Sequence, residues 1–79
     1  MTTEQARQTI KDILREVAPD GDPDTLGDDA DLRGSLELDS LDFLNFVEEL
    51  SKRSGRRIDE DDYPQLATLA SGAKFLAGP

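Results

Sequence analysis

Asp39 and Ser40 are the residues of this 79-residue chain best placed to do chemistry: a carboxylate and a hydroxyl where an apolar-periodic segment begins. Aspartate is a good helix N-cap, which puts Ser40 at the first helical position. There its side chain leaves the helix bundle, and nearby free backbone N–H groups and the helix dipole favour an anion. A phosphodiester on Ser40 would be well placed. Asp-Ser at a helix start is also an ordinary capping pair, and local physics by itself favours that simpler reading. The chain offers the hydroxyl no strong base. It contains no histidine and no cysteine, which excludes a serine triad, an imidazole base, a thiolate nucleophile, a disulfide and a His- or Cys-ligated zinc. No catalysis is expected, and any reactive group must be added to the protein.

The other chemistry-bearing cluster is a run of aspartates, Asp20, Asp22, Asp24, Asp28 and Asp31, spaced somewhat like a calcium-binding EF-hand loop. The pattern fails twice. Thr25 stands where such a loop needs glycine, and Asp31 where a longer bidentate glutamate closes the site. A solvated acidic turn is the better reading, with no specific metal expected. The net charge of −9 argues against nucleic acid and anionic membranes as partners. That charge is concentrated: Glu16 to Glu49 holds twelve acids and one base, Arg33, so the negative field surrounds Ser40.

Four helical segments must position these residues, within one domain spanning residues 1–79. Thr2 and Gln5 fit a capping box, and Ala6, Ile10, Ile13, Leu14 and Val17 recur at helical spacing, predicting a first helix over 3–17. Arg7, Lys11 and Arg15 lie four apart on another side and read as a solvated face. From Asp20 to Leu38 turn residues abound and no period is sustained, so a long loop is expected, pinned by Leu26, Leu32, Leu36 and Leu38. The second helix runs from the Asp39 cap to about Arg53, and Gly55 stops it. Asp59 to Asp62 favour a short third helix ending before Pro64. Thr68 caps a fourth, in which Leu69, Ala73 and Leu76 share a face and which Gly78 and Pro79 end. Ala67, Ala70, Gly72 and Ala73 would let helices approach closely. The expected fold is all-α, a small four-helix bundle with a long loop between helices one and two and a short third helix.

At about 100° per residue, Phe43, Phe46, Val47 and Leu50 form the core face of the second helix, with Leu44 at its edge. Leu41 projects on nearly the opposite side, beside Asn45, Glu48 and Lys52, and is expected to be exposed.

Leu36-Glu-Leu-Asp-Ser-Leu-Asp42 resembles the attachment motif of the acyl carrier protein family, and the resemblance extends along nearly all of the chain. A first helix, a long acidic loop, Asp39-Ser40-Leu41, a helix rich in Phe, Leu and Val, Ile58 before an acidic turn, and a terminal amphipathic helix follow at the family's spacing. The resemblance implies that 4'-phosphopantetheine is joined to Ser40 by a separate magnesium-dependent phosphopantetheinyl transferase. Asp39 would help present the hydroxyl and the metal to that enzyme. The arm would then carry acyl groups as thioesters, supplying the thiol that the chain lacks. It also implies that partners read the second helix, so Leu41, Asp42, Leu44, Asn45, Glu48 and Glu49 are the candidate recognition residues.

Three departures bear on partner choice: Glu37 where many family motifs have glycine, Asn45 and Glu48 in place of a common acid and apolar residue, and the basic Lys52-Arg53 and Arg56-Arg57. The implied partners are the transferase, an acyl-loading ligase or synthase, and acyl-transfer enzymes, in a fatty acid or specialised acyl or polyketide pathway. Alternatives are an aminoacyl or peptidyl carrier loaded by a dedicated ligase, and an acidic helical adaptor without a prosthetic group. A monomer in the cytoplasm is expected, since Met1 to Gln5 is polar and no apolar run approaches membrane-spanning length.

Overall fold

Residues 1–78 are described by a computed structural model of the chain. Helix α1 spans Thr3–Val17. Its start is a reciprocal capping box: the Thr2 hydroxyl accepts the Gln5 N–H at 3.1 Å, and the Gln5 side chain accepts the Thr2 N–H at 2.9 Å. The i, i+4, i+7, i+8 spacing of Ala6, Ile10, Ile13 and Leu14 turns all four inward, and none retains exposed surface.

The linker to the next long helix is less irregular than its turn-rich sequence suggests. It contains a 3₁₀ turn, Pro23–Thr25, and a four-residue helix α2, Leu32–Ser35. Both escape periodicity analysis because they are shorter than two turns, and both are started by aspartates. Asp22 accepts the Asp24 N–H at 3.1 Å, and Asp31 accepts the Gly34 N–H at 3.0 Å. Leu32 and Leu38 are buried, while Leu26 and Leu36 pack against the core from its margin, as expected of the pinning residues.

The cationic side of α1 is not a solvated face. Arg7 pairs with Asp28 at 2.7 Å, Arg15 grips both carboxylate oxygens of Asp24 at 2.8 Å, and Lys11 lies 3.8 Å from Asp24. These contacts strap the acidic linker along α1. Spacing alone could not show this, because the partners lie nine or more residues away. The Arg15 hydrogen bond holds the Asp24 carboxyl below the usual carboxylate range. A depressed carboxyl contributes stability above its unfolded value near 3.9 and loses it as pH falls through the folded value. The Arg15–Asp24 contact should therefore loosen only below about pH 4.

Helix α3, Ser40–Ser54, buries Phe43, Phe46, Val47 and Leu50 and ends at Gly55. Gly55 adopts φ 68°, a left-handed cap open to glycine without steric cost. The third segment is a 3₁₀ helix, Glu60–Leu66, and it continues through Pro64 instead of stopping before it. Proline removes one backbone donor, a loss tolerated here because the fully buried Leu66 anchors the final turn.

Helix α4, Leu69–Ala77, is capped by Thr68, whose hydroxyl accepts the Ser71 N–H at 3.1 Å. It buries Leu69, Gly72, Ala73 and Leu76. A Cβ at Gly72 would stand 3.1 Å from Ile10 Cδ1, so this glycine sets how closely α4 lies on α1. Gly78 caps α4, and Pro79, expected to share in ending it, lies outside the described residues. With the 3₁₀ segment as the short third helix, the chain is the expected all-α bundle, with one core built from α1, α3, α4 and the linker leucines.

Candidate functional site

Two aspartates, each satisfying an amide, fix the start of α3. Asp39 Oδ1 accepts the Asp42 N–H at 2.8 Å, and Asp42 Oδ2 accepts the Asp39 N–H at 3.4 Å. Ser40 is thus left at the first helical position with its side chain exposed. Among the described residues, its hydroxyl makes no hydrogen bond, and neither the Ser40 nor the Leu41 amide has an acceptor. A free hydroxyl beside two unsatisfied N–H groups at a helix N-terminus suits a phosphodiester. The capping role that competes for this pair falls to Asp39 and Asp42, not to Ser40.

Ser40 also borders a groove of about 380 Å³ between the start of α3, α2 and the 3₁₀ helix. Phe43, Leu44, Tyr63, Pro64 and Ala67 form most of its wall, and Arg33 stands at its rim. The Phe43 and Tyr63 rings meet edge to face, with centres 5.4 Å apart, an arrangement that aromatic pairs favour. Groove and rim cation join residues from three separate elements, which no local spacing brings together. The one signal was Arg33's isolation as the sole base in an acidic stretch.

Leu41 is 66% exposed and Leu44 45%, large values for such side chains. With Asn45 and Glu48, both exposed, they form one surface beside Ser40. Leu44 thus belongs more to this surface than to the edge of the core. Asp42 and Glu49 lie round the flank of the helix and are half-buried. Glu49 is engaged with Arg53 at 3.4 Å and Lys52 at 3.7 Å, and Arg53 also reaches Glu16 on α1. Replacing Leu41 with alanine should change the unfolding free energy by no more than about 0.5 kcal/mol while slowing loading or transfer by partner enzymes. A cost in the core range of about 2–5 kcal/mol in urea denaturation would mean that Leu41 is packed in solution.

Glu37 adopts φ 54°, the one non-glycine residue with positive φ among those described. Its position, two before Asp39, is where many motifs of the resembled family have glycine. A left-handed non-glycine residue costs about 1–2 kcal/mol, and glycine loses about 0.5–1 kcal/mol more backbone entropy on folding. Glu37→Gly is therefore expected to stabilise the fold by up to about 1 kcal/mol, seen as a raised urea midpoint. A lowered midpoint would show that the Glu37 side chain outweighs the backbone strain.

Four of the linker aspartates are otherwise employed: Asp24 and Asp28 bind cations of α1, while Asp22 and Asp31 cap helical turns. Among the described residues, no three acidic side chains converge to hold a metal ion.

Comparison with known proteins places this geometry in context. The sequence model of the family described as "Phosphopantetheine attachment site" matches residues 8–76. An acyl carrier protein of Brachyspira hyodysenteriae (strain ATCC 49526 / WA1) is 30% identical over 67 residues, 85% of this chain and 86% of that protein. An acyl carrier protein of Lactobacillus johnsonii is 29% identical over 76 residues, 96% of this chain and 94% of its own. That of Lactobacillus acidophilus is 22% identical over the same shares.

Proposed function

Because this chain belongs to the phosphopantetheine attachment-site family, we propose that Ser40 is the residue through which its prosthetic arm is joined. The protein is a carrier, not an enzyme: it tethers acyl groups on covalently attached 4'-phosphopantetheine and depends on a phosphopantetheinyl transferase and acyl-handling enzymes. The arm supplies a thiol, the nucleophile that a cysteine-free chain cannot provide. The observation that carries the assignment to Ser40 is its exposed, unbonded hydroxyl at the first position of α3. Asp39 holds that position by capping the helix, and its carboxylate would help present the hydroxyl to a transferase and its metal ion.

Leu41, Leu44, Asn45 and Glu48 form the recognition surface of this reading, with Asp42 and Glu49 on its flank. Acyl-loading and acyl-transfer enzymes of a fatty acid or specialised acyl or polyketide pathway dock there. The chain works as a monomer in the cytoplasm, apart from nucleic acid and membranes, consistent with its acidic charge. No helix among the described residues is long and apolar enough to cross a membrane.

An aminoacyl or peptidyl carrier is the second reading, since Asn45, Glu48 and the basic far end of α3 depart from the helix face that enzymes of ordinary fatty acid synthesis read. Incubation with coenzyme A and a broad-specificity transferase tests the attachment. One arm's gain in intact mass, with the modified peptide containing Ser40, is expected; no gain, or a gain at another residue, would overturn it. Offering the holo form fatty-acyl and aminoacyl ligases separately would discriminate the cargo classes.

A further inference from the structure

The guanidinium of Arg33 is the only cation between Glu16 and Glu49, and it makes no ion pair among the described residues. It lies over the ring of Phe43, 5.1 Å from its centre, an attraction that holds it at the groove rim. Phe43 is three residues after Ser40, so the two side chains are neighbours on the surface of α3. Arg33 and Ser40 thus border one groove, an unpaired cation beside the proposed root of the arm.

Resting on the Ser40 assignment, we propose that Arg33 is a positioning residue that pairs with the arm's phosphodiester and lays the arm into the groove against Tyr63, Pro64 and Ala67. Charge complementarity selects this occupant. Around Ser40 stand Asp39 at the cap of α3, Asp42 in its first turn and Asp31 across the groove, all of which repel a phosphodiester. Asp39 and Asp31 each already accept a backbone N–H, at 2.8 and 3.0 Å, and Asp42 a longer one at 3.4 Å. Arg33 supplies the compensating charge, and its planar donor fork suits phosphate oxygens. The phosphodiester cannot diffuse away, so even a weak ion pair is populated at high effective concentration. The arm's resting direction is then away from Leu41, across the groove mouth, until a partner's own cations compete for the phosphate.

The test uses the holo protein with Arg33, Arg33→Lys and Arg33→Gln, read by phosphorus NMR and by nuclear Overhauser contacts from the arm to Tyr63 and Ala67. In Arg33→Gln the phosphorus resonance should move toward that of the same arm on a short serine peptide. The contacts to Tyr63 and Ala67 should weaken by roughly two- to five-fold, the range an exposed ion pair supplies. Arg33→Lys should fall between, and high salt should bring the wild type toward the glutamine variant. Amide spectra of all three, unchanged away from the groove, establish that the variants are folded. A phosphorus resonance identical in wild type and Arg33→Gln overturns the proposal, even if arm contacts persist, because apolar walls alone would then hold the arm. Failure of the wild type to gain an arm at Ser40 would instead overturn the attachment reading itself, and the pairing with it.

Discussion

Ser40→Ala is expected to abolish every gain of mass on incubation with coenzyme A and a transferase, while leaving helical circular dichroism unchanged. The other serines are poor substitutes for structural reasons. Ser51 donates its hydroxyl to the Arg56 carbonyl at 2.9 Å, Ser54 donates to the Leu50 carbonyl at 2.6 Å, and Ser71 is bound into the Thr68 cap. Ser35 is exposed, but it closes α2 instead of opening a helix and has no aspartate before it. Among the serines, Ser40 alone joins an exposed hydroxyl to a helix start. Its removal forfeits no hydrogen bond, and alanine is the best helix former, so stability should change by less than about 0.5 kcal/mol. Modification that persists in the variant would refute the assignment; loss of helix would leave the missing mass explained by unfolding, so a wild-type spectrum is part of the expected result.

The second large effect concerns the scaffold. Phe46→Ala should destabilise the protein by about 3–5 kcal/mol, the usual cost of emptying a buried phenylalanine site. Phe46 has no exposed surface and packs beside Phe43, with ring centres 6.0 Å apart. At about 0.05–0.15 kcal/mol per residue, a chain this short is stable by only about 4–12 kcal/mol. The substitution therefore removes a large share of the whole, and Tm should fall by at least about 10 °C. Phe43, which walls the groove, would lose its neighbour on the core side. Leu44→Ala, two positions away on the same helix but 45% exposed, is the matched control and should cost far less. Thermal and urea unfolding followed by circular dichroism measure both. A cost below about 1 kcal/mol for Phe46→Ala would mean that the site collapses freely and that the core is not close-packed there.

Much of this protein could be read directly from the chain, and the reason is local. The Thr2, Asp39 and Thr68 caps, the Gly55 stop and the inward residues of α1, α3 and α4 depend on neighbours within about one helical turn, where side-chain spacing dictates geometry. The exposure of Leu41 and the position of Ser40 follow from the same periodicity, and the absence of histidine and cysteine limits the chemistry outright. What lay beyond reading depends on contacts between distant residues. Arg7, Lys11 and Arg15 look like a solvated face until the linker folds back and brings Asp28 and Asp24 to them. The 3₁₀ helix passes Pro64 because Leu66 is buried in the core, not because its residues favour helix. Glu37 takes the left-handed place that ends α2, where the Leu38 N–H donates to the Arg33 carbonyl at 2.9 Å, and that short helix is itself fixed by burying Leu32 and Leu38 in the core. The groove exists only where α2, α3 and the 3₁₀ helix meet, so Arg33, an isolated base in the sequence, acquires a neighbour in Ser40 only through the tertiary fold.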